Sequence, residues 1–304
     1  MRVISKIVPI EDDGRLFWRI ARGMGVSGHQ LARAKVINGL LLNGEPVHAD
    51  RRVNAGQTVA VVLTDDEPAF SAVPENKPVD ILYQDEDVIV INKEAPLATQ
   101  SSPRQADNTL ENRLAYIYRD EPCFIFRPVN RLDKGTSGLM AAAKHQHAQL
   151  ALSSQLHGQF VREYLAILDG VPKEERFTVD APIAKAAGAT VKREVAAGGK
   201  ESRTHALLLC KKDGLALVRL RLETGRTHQI RVHMAHIGCP VLGDFLYGKE
   251  HPLLKERFAL HSAYMSFIHP ISGKKLSFFA PLPAELSCFF KDFTVNRELF
   301  ETEI

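Results

Sequence analysis

Leu16, Ile20 and Met24 recur at helical spacing and a second apolar series runs through Leu31, Val36 and Ile37, which predicts two successive helices from about residue 15. Leu40 to Leu42 and Val47 flank Asn43-Gly44, the pair that best accepts the positive φ angles of a tight type I′ turn, so a hairpin follows the helices. A final strand over 58–63 closes a compact unit assigned to 12–63. Residues 64–78, TDDEPAFSAVPENKP, are acidic, proline-containing and aperiodic, the pattern of a linker. Beyond Val79 the pattern changes to strand-like runs at 80–83 and 88–92, a helix through Leu110, Leu114 and Ile117, then strands at 139–143, 164–168, 204–210, 215–222, 259–267 and 276–279. Turns such as Lys212-Asp213-Gly214 and Ser272-Gly273 join several of them. Strands that outnumber helices in this way predict an α+β domain over 79–290 on a mixed or antiparallel sheet with flanking helices, rather than a doubly wound parallel one. Residues 291–304 carry no readable motif and are set apart as a tail.

Composition narrows the class without choosing a function. With 304 residues, 45% hydrophobic and 25% charged, the chain has room for a catalytic core and one small accessory domain. The opening MRVISKIVPIEDDGR has no apolar segment of signal-peptide length, and no later run approaches the roughly 20 apolar residues that span a bilayer. A cytoplasmic, monomeric protein without a membrane partner is the expectation. Cys123, Cys210, Cys239 and Cys288 form no C-x-x-C pair, so neither a zinc knuckle nor a disulfide framework is expected. The net charge of +3 is compatible with nucleic acid and diagnostic of nothing.

Three segments carry chemistry. Residues 127–138, RPVNRLDKGTSG, run directly into the apolar LMAAA, and a charged loop entering a buried strand fixes a side chain that still faces substrate. Asp133 has that position. Gly135 and Gly138 permit tight turns and Thr136 and Ser137 can bond local backbone, although an aspartate between Arg131 and Lys134 is, on spacing alone, more often a loop salt bridge. The second segment is Arg162-Glu163-Tyr164-Leu165-Ala166. The third, 222–248, reads LETGRTHQIRVHMAHIGCPVLGDFLYG. There Gly225 and Thr227 suggest a turn into a helix N-cap whose amides could receive a phosphate, and Arg231 lies one turn in. Asp244 is read as the brace of the Gly243 turn. His228, His233 and His236 are not expected to share one helix face, so no metal site is expected. No Walker loop, Rossmann fingerprint or nucleophile elbow is present, and no cofactor is expected.

The first of these segments resembles the H-R-L-D-x-x-T-S-G signature of the RluA-type pseudouridine synthases, with Asn130 where the family commonly has His. Asn can exchange hydrogen bonds but cannot titrate near neutral pH. The second is similar to the family's second motif, with Arg162 in place of the usual Lys, and the third is the longest match. The resemblance implies an RNA pseudouridine synthase that needs no cofactor. It makes Asp133 the catalytic residue, Tyr164 the ring against the target base, and Arg231 the arginine paired with Asp133, with Arg226 the other candidate for that pairing. It further implies that the uridine is flipped out and that Arg131 fills the vacated space. Residues 28–62 resemble the small alpha-L RNA-binding motif, which makes Arg33, Lys35, Arg51 and Arg52 its phosphate-facing cations. Ribosomal RNA, of the large subunit, is the expected substrate and transfer RNA the alternative. A noncatalytic RNA-binding ribosome-assembly protein is the competing reading.

Overall fold

The computed structural model describes residues 2–64, 72–102, 105–121, 124–300, 302 and 304. Much of the expected linker and Cys123 therefore lie outside the described residues.

The small unit comprises β1 (Arg2–Ile7), α1 (Phe17–Gly23), α2 (Gly28–Val36), β2 (Leu40–Leu42), β3 (Glu45–Pro46) and β4 (Thr58–Leu63). Its strands form one sheet in the order β1-β4-β2-β3. Ser27 starts α2 with a capping box, its hydroxyl accepting from the Gln30 amide at 3.2 Å while the Gln30 side chain accepts from the Ser27 amide at 2.8 Å, which satisfies two otherwise orphaned donors. Asn43 and Gly44 have φ of 52° and 89°, the geometry expected of the hairpin. The sheet starts earlier than residue 12, because β1 runs antiparallel to β4 from Arg2↔Leu63 to Ile7↔Thr58. Ile4 and Val8 accordingly join Phe17, Ile20, Leu40, Val59 and Val61 in one core, each large apolar side chain contributing about 1.5–3 kcal/mol when fully buried.

The large unit begins with β5 (Asp80–Gln84), β6 (Val88–Lys93), α3 (Leu110–Ile117), β7 (Arg127–Pro128), β8 (Ser137–Ala143) and α4 (Gln146–Ser154). It continues through β9 (Val161–Asp169), β10 (Arg176–Asp180), β11 (Ile183–Lys185), β12 (Arg193–Val195), β13 (Arg203–Lys212) and β14 (Leu215–Leu222). It closes with α5 (Gln229–His236), β15 (Leu260–Ile268), β16 (Lys275–Phe279) and α6 (Ala284–Ser287). Among the described residues its main sheet has ten strands, running β10-β13-β14-β9-β15-β8-β6-β5 with β16 on β15 and β7 on β8. Neighbours are antiparallel except at β15 and β8, which pair in parallel at His261↔Ser137 and Ser262↔Gly138. The expected mixed sheet with flanking helices, an α+β fold, is what the chain adopts.

At that parallel seam Gly138 has φ of 104°, and a Cβ there would stand 2.2 Å from the Ser262 carbonyl oxygen. Only glycine lets the two strands approach this closely.

The two units are joined by charge. Arg2 of β1 grips Asp87 with two bonds, at 2.7 and 2.9 Å, and also pairs with Glu86. Asp87 receives His145 Nε2 at 2.9 Å and Asp85 receives His269 Nε2 at 2.8 Å. The residues set apart as a tail are docked rather than loose. Buried Arg219 pairs with Glu163 at 2.5 Å, donates to the carbonyl oxygens of Leu299 and Thr302, and lies 5.1 Å from the centre of the Phe300 ring.

Candidate active site

The loop before β8 and helix α5, which follows β14, meet at Asp133. Arg231 Nη1 donates to Asp133 Oδ2 at 3.1 Å. The other edge of the same guanidinium is occupied by Asp244, whose two oxygens accept from Nε at 2.7 Å and Nη2 at 2.9 Å. Arg231 is almost fully buried, and Asp244 completely so. Burial alone would disfavour the charge on Arg231; its carboxylate partners overcome this and raise its pKa. Charge-assisted bonds of this bidentate kind fix orientation as well as energy. Asp244 does brace its own turn, accepting from the amides of Leu246 and Tyr247 at 3.0 and 3.2 Å. Its role as the second partner of Arg231 has no mark in the sequence around it.

His228 stands on the other side of the carboxylate, with Nε2 3.8 Å from Asp133 Oδ2. It is the residue before α5 and has φ of 58°, so the turn enters the helix through His228 and not through a Thr227 cap. The amide of Arg226, in the turn before the helix, is satisfied by Gln229 Oε1 at 2.9 Å. His228 Nδ1 lies 2.9 Å from the Tyr247 hydroxyl, which accepts the Arg193 amide at 2.8 Å. Burial lowers the pKa of His228 against the opposing pull of Asp133, which favours the neutral ring.

A third support lies under the loop. Lys93 at the end of β6 is 1% exposed, and its ammonium donates to the carbonyl oxygens of Leu97 at 2.7 Å and Glu94 at 3.0 Å. Burial pushes it down to about 7, with the charge of Asp133 opposing. The Leu97 amide reaches the Lys134 carbonyl at 2.9 Å and the Thr99 hydroxyl the Leu132 carbonyl at 2.8 Å, so residues 97–99 and the Asp133 loop are tied on both sides of the aspartate. A lone lysine ending the apolar run VIVINK was the available signal for this site.

Tyr164 faces the same space from β9 and is 6% exposed. Burial pushes its hydroxyl up, which keeps the phenol neutral at physiological pH. Asp133, Tyr164, Arg131, Arg226, Arg162 and Asn130 line a cleft of 1180 Å³, to which the small unit contributes His29 and Arg33. That exceeds the roughly 300–1,000 Å³ of a small-molecule pocket. The expected cations divide here. Arg131, Arg226 and Arg33 reach the cleft, whereas Lys35, Arg51 and Arg52 do not line it, and Arg52 donates to the Gly14 carbonyl at 2.9 Å. Arg226 bonds the Glu201 carbonyl at 3.0 Å, so Arg231 and not Arg226 is the partner of Asp133. Asn130 accepts the Ala141 amide at 2.8 Å, a backbone clamp that needs no titration. The other two histidines of α5 are dispersed: His233 is fixed between Thr204 and the Ala181 carbonyl, each at 2.9 Å, and His236 is exposed.

Behind the loop, Ser137 departs from the expected local bonding. Its hydroxyl lies 2.9 Å from His261 Nδ1 and accepts from Arg257 at 3.0 Å, while His261 Nε2 donates to the Ala280 carbonyl at 3.1 Å. With its Nε2 proton committed to a carbonyl, His261 is a neutral acceptor for Ser137. Burial pushes the ring down to about 4 from the ordinary 6.5. The stability gained from the neutral ring is complete above pH 6.5 and is lost as pH falls toward 4, because the unfolded chain takes the proton first. The effect is on the order of 3 kcal/mol over that window. Urea midpoints of wild type are therefore expected to fall more steeply with acid than those of His261→Asn. Parallel pH slopes would assign the acid sensitivity elsewhere.

The chain is similar to known proteins over most of its length. The model of the RNA pseudouridylate synthase family matches residues 87–236. The Bacillus subtilis protein named uncharacterized RNA pseudouridine synthase YjbO is 37% identical over 271 residues, which cover 88% of this chain and 95% of the relative. The Zymomonas mobilis ribosomal large subunit pseudouridine synthase D is 39% identical over 74% of this chain and 75% of its own length. Among solved structures, human RNA pseudouridylate synthase domain containing 1 superposes with a TM-score of 0.58 at 26% identity, over 75% of this chain and 94% of that one.

Proposed function

The chain belongs to the RNA pseudouridylate synthase family and is an isomerase, and from that premise we propose that it converts uridine to pseudouridine in large-subunit ribosomal RNA, with Asp133 as the catalytic residue. The observation that carries this reading is the Asp133 carboxylate, held by a buried arginine at the foot of a cation-lined cleft. Relatives named for the large ribosomal subunit, such as the Zymomonas mobilis enzyme, support the choice of RNA. The division into an RNA-binding unit at 12–63, extended by β1, and a catalytic unit at 79–290 is part of the same proposal.

Isomerisation breaks N1–C1′, forms C5–C1′, moves a proton off C5 and returns one to N1, so atoms balance without a cofactor. Both Arg231 and His228 approach Oδ2 of Asp133, which leaves Oδ1 to meet the nucleotide as nucleophile or base. A base stacked in a helix cannot reach that oxygen and must be flipped out, its lost stacking offset by protein contacts. Tyr164 supplies the face against the uracil, Arg131 takes the vacated space, and Arg226 and Arg33 hold phosphates along the cleft. Lys35, Arg51 and Arg52 serve phosphates beyond it.

The test is to incubate the purified chain with large-subunit ribosomal and transfer RNA transcripts and map pseudouridine by carbodiimide-blocked primer extension. Modification at discrete uridines of the ribosomal transcript alone is expected. Modification of transfer RNA alone would overturn the substrate, and modification of neither would overturn the reaction. Arg33→Ala is expected to weaken RNA binding and to reduce the slope of log affinity against log salt by about 0.7, the value of one phosphate contact on a single strand. Lys35→Ala, outside the cleft, is expected to change less. An unchanged slope for Arg33→Ala would remove α2 from the RNA path.

A further inference from the structure

Asp133 does not lie at a dead end. Together with His228 it also lines a second cleft, of 1040 Å³, walled by Phe245, Leu246, Val191, Pro252 and Phe258. Phe245 is 56% exposed and Val191, which also lines the cleft, 50% exposed. Phe245 is also rigidly mounted. Its neighbour Asp244 is tied to Arg231 by two bonds, accepts the amides of Leu246 and Tyr247, and its carbonyl accepts the Gly248 amide at 2.7 Å. An aromatic ring held in water on a braced turn forfeits its own burial, and no ring of the described residues stacks on it. Such a ring is already ordered for a flat partner and loses little entropy on binding one.

The charges at this cleft favour a base over a phosphate. Lys134 is paired with Glu256 at 3.5 Å, and the cleft is lined by carboxylates, Asp133, Glu250 and Glu256, as well as by the cations Lys134, Lys255 and Arg231. A strand whose uridine sits at Asp133 must leave in two directions, and the cation-lined cleft accounts for one. We propose that the second cleft is a nucleobase subsite in which the RNA base next to the isomerised uridine stacks on Phe245. This rests on the reading of the chain as a uridine isomerase acting at Asp133, and it makes Phe245 a determinant of sequence context rather than of chemistry. Every base has a π-face, so the subsite admits all four, with a modest preference for larger bases that follows from their stronger stacking.

The test uses a segment of large-subunit ribosomal RNA on which the full chain makes pseudouridine, intact or with one abasic nucleotide on either side of the target. Phe245→Ala is expected to lower kcat/KM on intact RNA roughly fivefold to a hundredfold, and Phe245→Tyr to retain it. On one of the two abasic RNAs wild type is expected to fall to the level of Phe245→Ala. Equal rates for Phe245→Ala and wild type on intact RNA would overturn the subsite, as would a loss that persists on both abasic RNAs or full rescue by Phe245→Leu. Should the chain modify no RNA, Phe245→Trp in a Trp18→Phe background gives an independent reading. Its fluorescence is expected to be quenched by a short single-stranded RNA, and an unquenched signal under saturating RNA would sink the subsite by itself.

Discussion

Asp133→Asn is expected to abolish pseudouridine formation, lowering kcat by at least about ten-thousandfold, the scale on which loss of an essential nucleophile or base is felt. The same change is expected to leave the fold and RNA binding in place. Asparagine keeps the size of the side chain, and Arg231 keeps its two bonds to Asp244, so no buried charge is orphaned. Tritium release from transcripts labelled at uracil C5, beside the thermal midpoint of each protein, separates chemistry from stability. Residual kcat above about a hundredth of wild type would put the chemistry on another group, since a general acid or base alone is worth roughly 10²–10⁴. RNA binding without release by wild type itself would favour the assembly-factor reading.

The second large effect belongs to Asp244. Asp244→Ala removes the bidentate partner of a guanidinium that is almost completely buried, and breaking a buried pair from one side costs about 3–5 kcal/mol because the remaining charge cannot return to water. Two more acceptors are lost with it, for the Leu246 and Tyr247 amides. The unfolding free energy is expected to drop by that amount, read as a lower denaturant midpoint at unchanged m-value, and kcat to fall as well, because Arg231 is then free to turn away from Asp133. Asp244→Asn, which preserves shape and one acceptor oxygen, is expected to lie between the two. A loss under about 1 kcal/mol with normal kcat would mean that the loop around Asp133 is held by Lys93 and Thr99 rather than through Arg231.

Where burial is continuous along a strand the sequence is easy to read. The strand expected at 58–63 and that at 215–222 have the observed bounds, and Asn43-Gly44 forms the turn its residue types require. β1 escaped notice because its burial pattern leaves only Ile4 fully covered, so an edge strand with no apolar face gave no period to detect. The short β10, β11 and β12 each bury one residue at most, and α4 has no sharp apolar stripe. The site divides in the same way. Asp133, Tyr164 and Arg231 were named through resemblance, and spacing alone would have left Asp133 as a loop ion pair. The part of Asp244 at Arg231 is legible only in space, since the topology delivers the guanidinium from another element, and Lys93 shows in the sequence only as a lone lysine ending an apolar run. The role sought for Thr227 fell to His228, whose positive φ contradicts the usual preference of that position for a hydroxyl or carboxamide side chain.

The parallel seam between β8 and β15 also governs the order in which the molecule becomes competent. Ser137 and His261 are separated by 124 residues, and the hairpins on either side can close through contacts far nearer in sequence, such as those between β13 and β14. Long-range parallel pairing is slow because the loop must be closed before the contacts that repay it can form. Asp133 enters from one side of the seam, Tyr164 and Arg231 from the other. A refolding chain is therefore expected to acquire most of its strand content while the Asp133 carboxylate is still without its guanidinium, with catalytic recovery trailing the circular-dichroism signal.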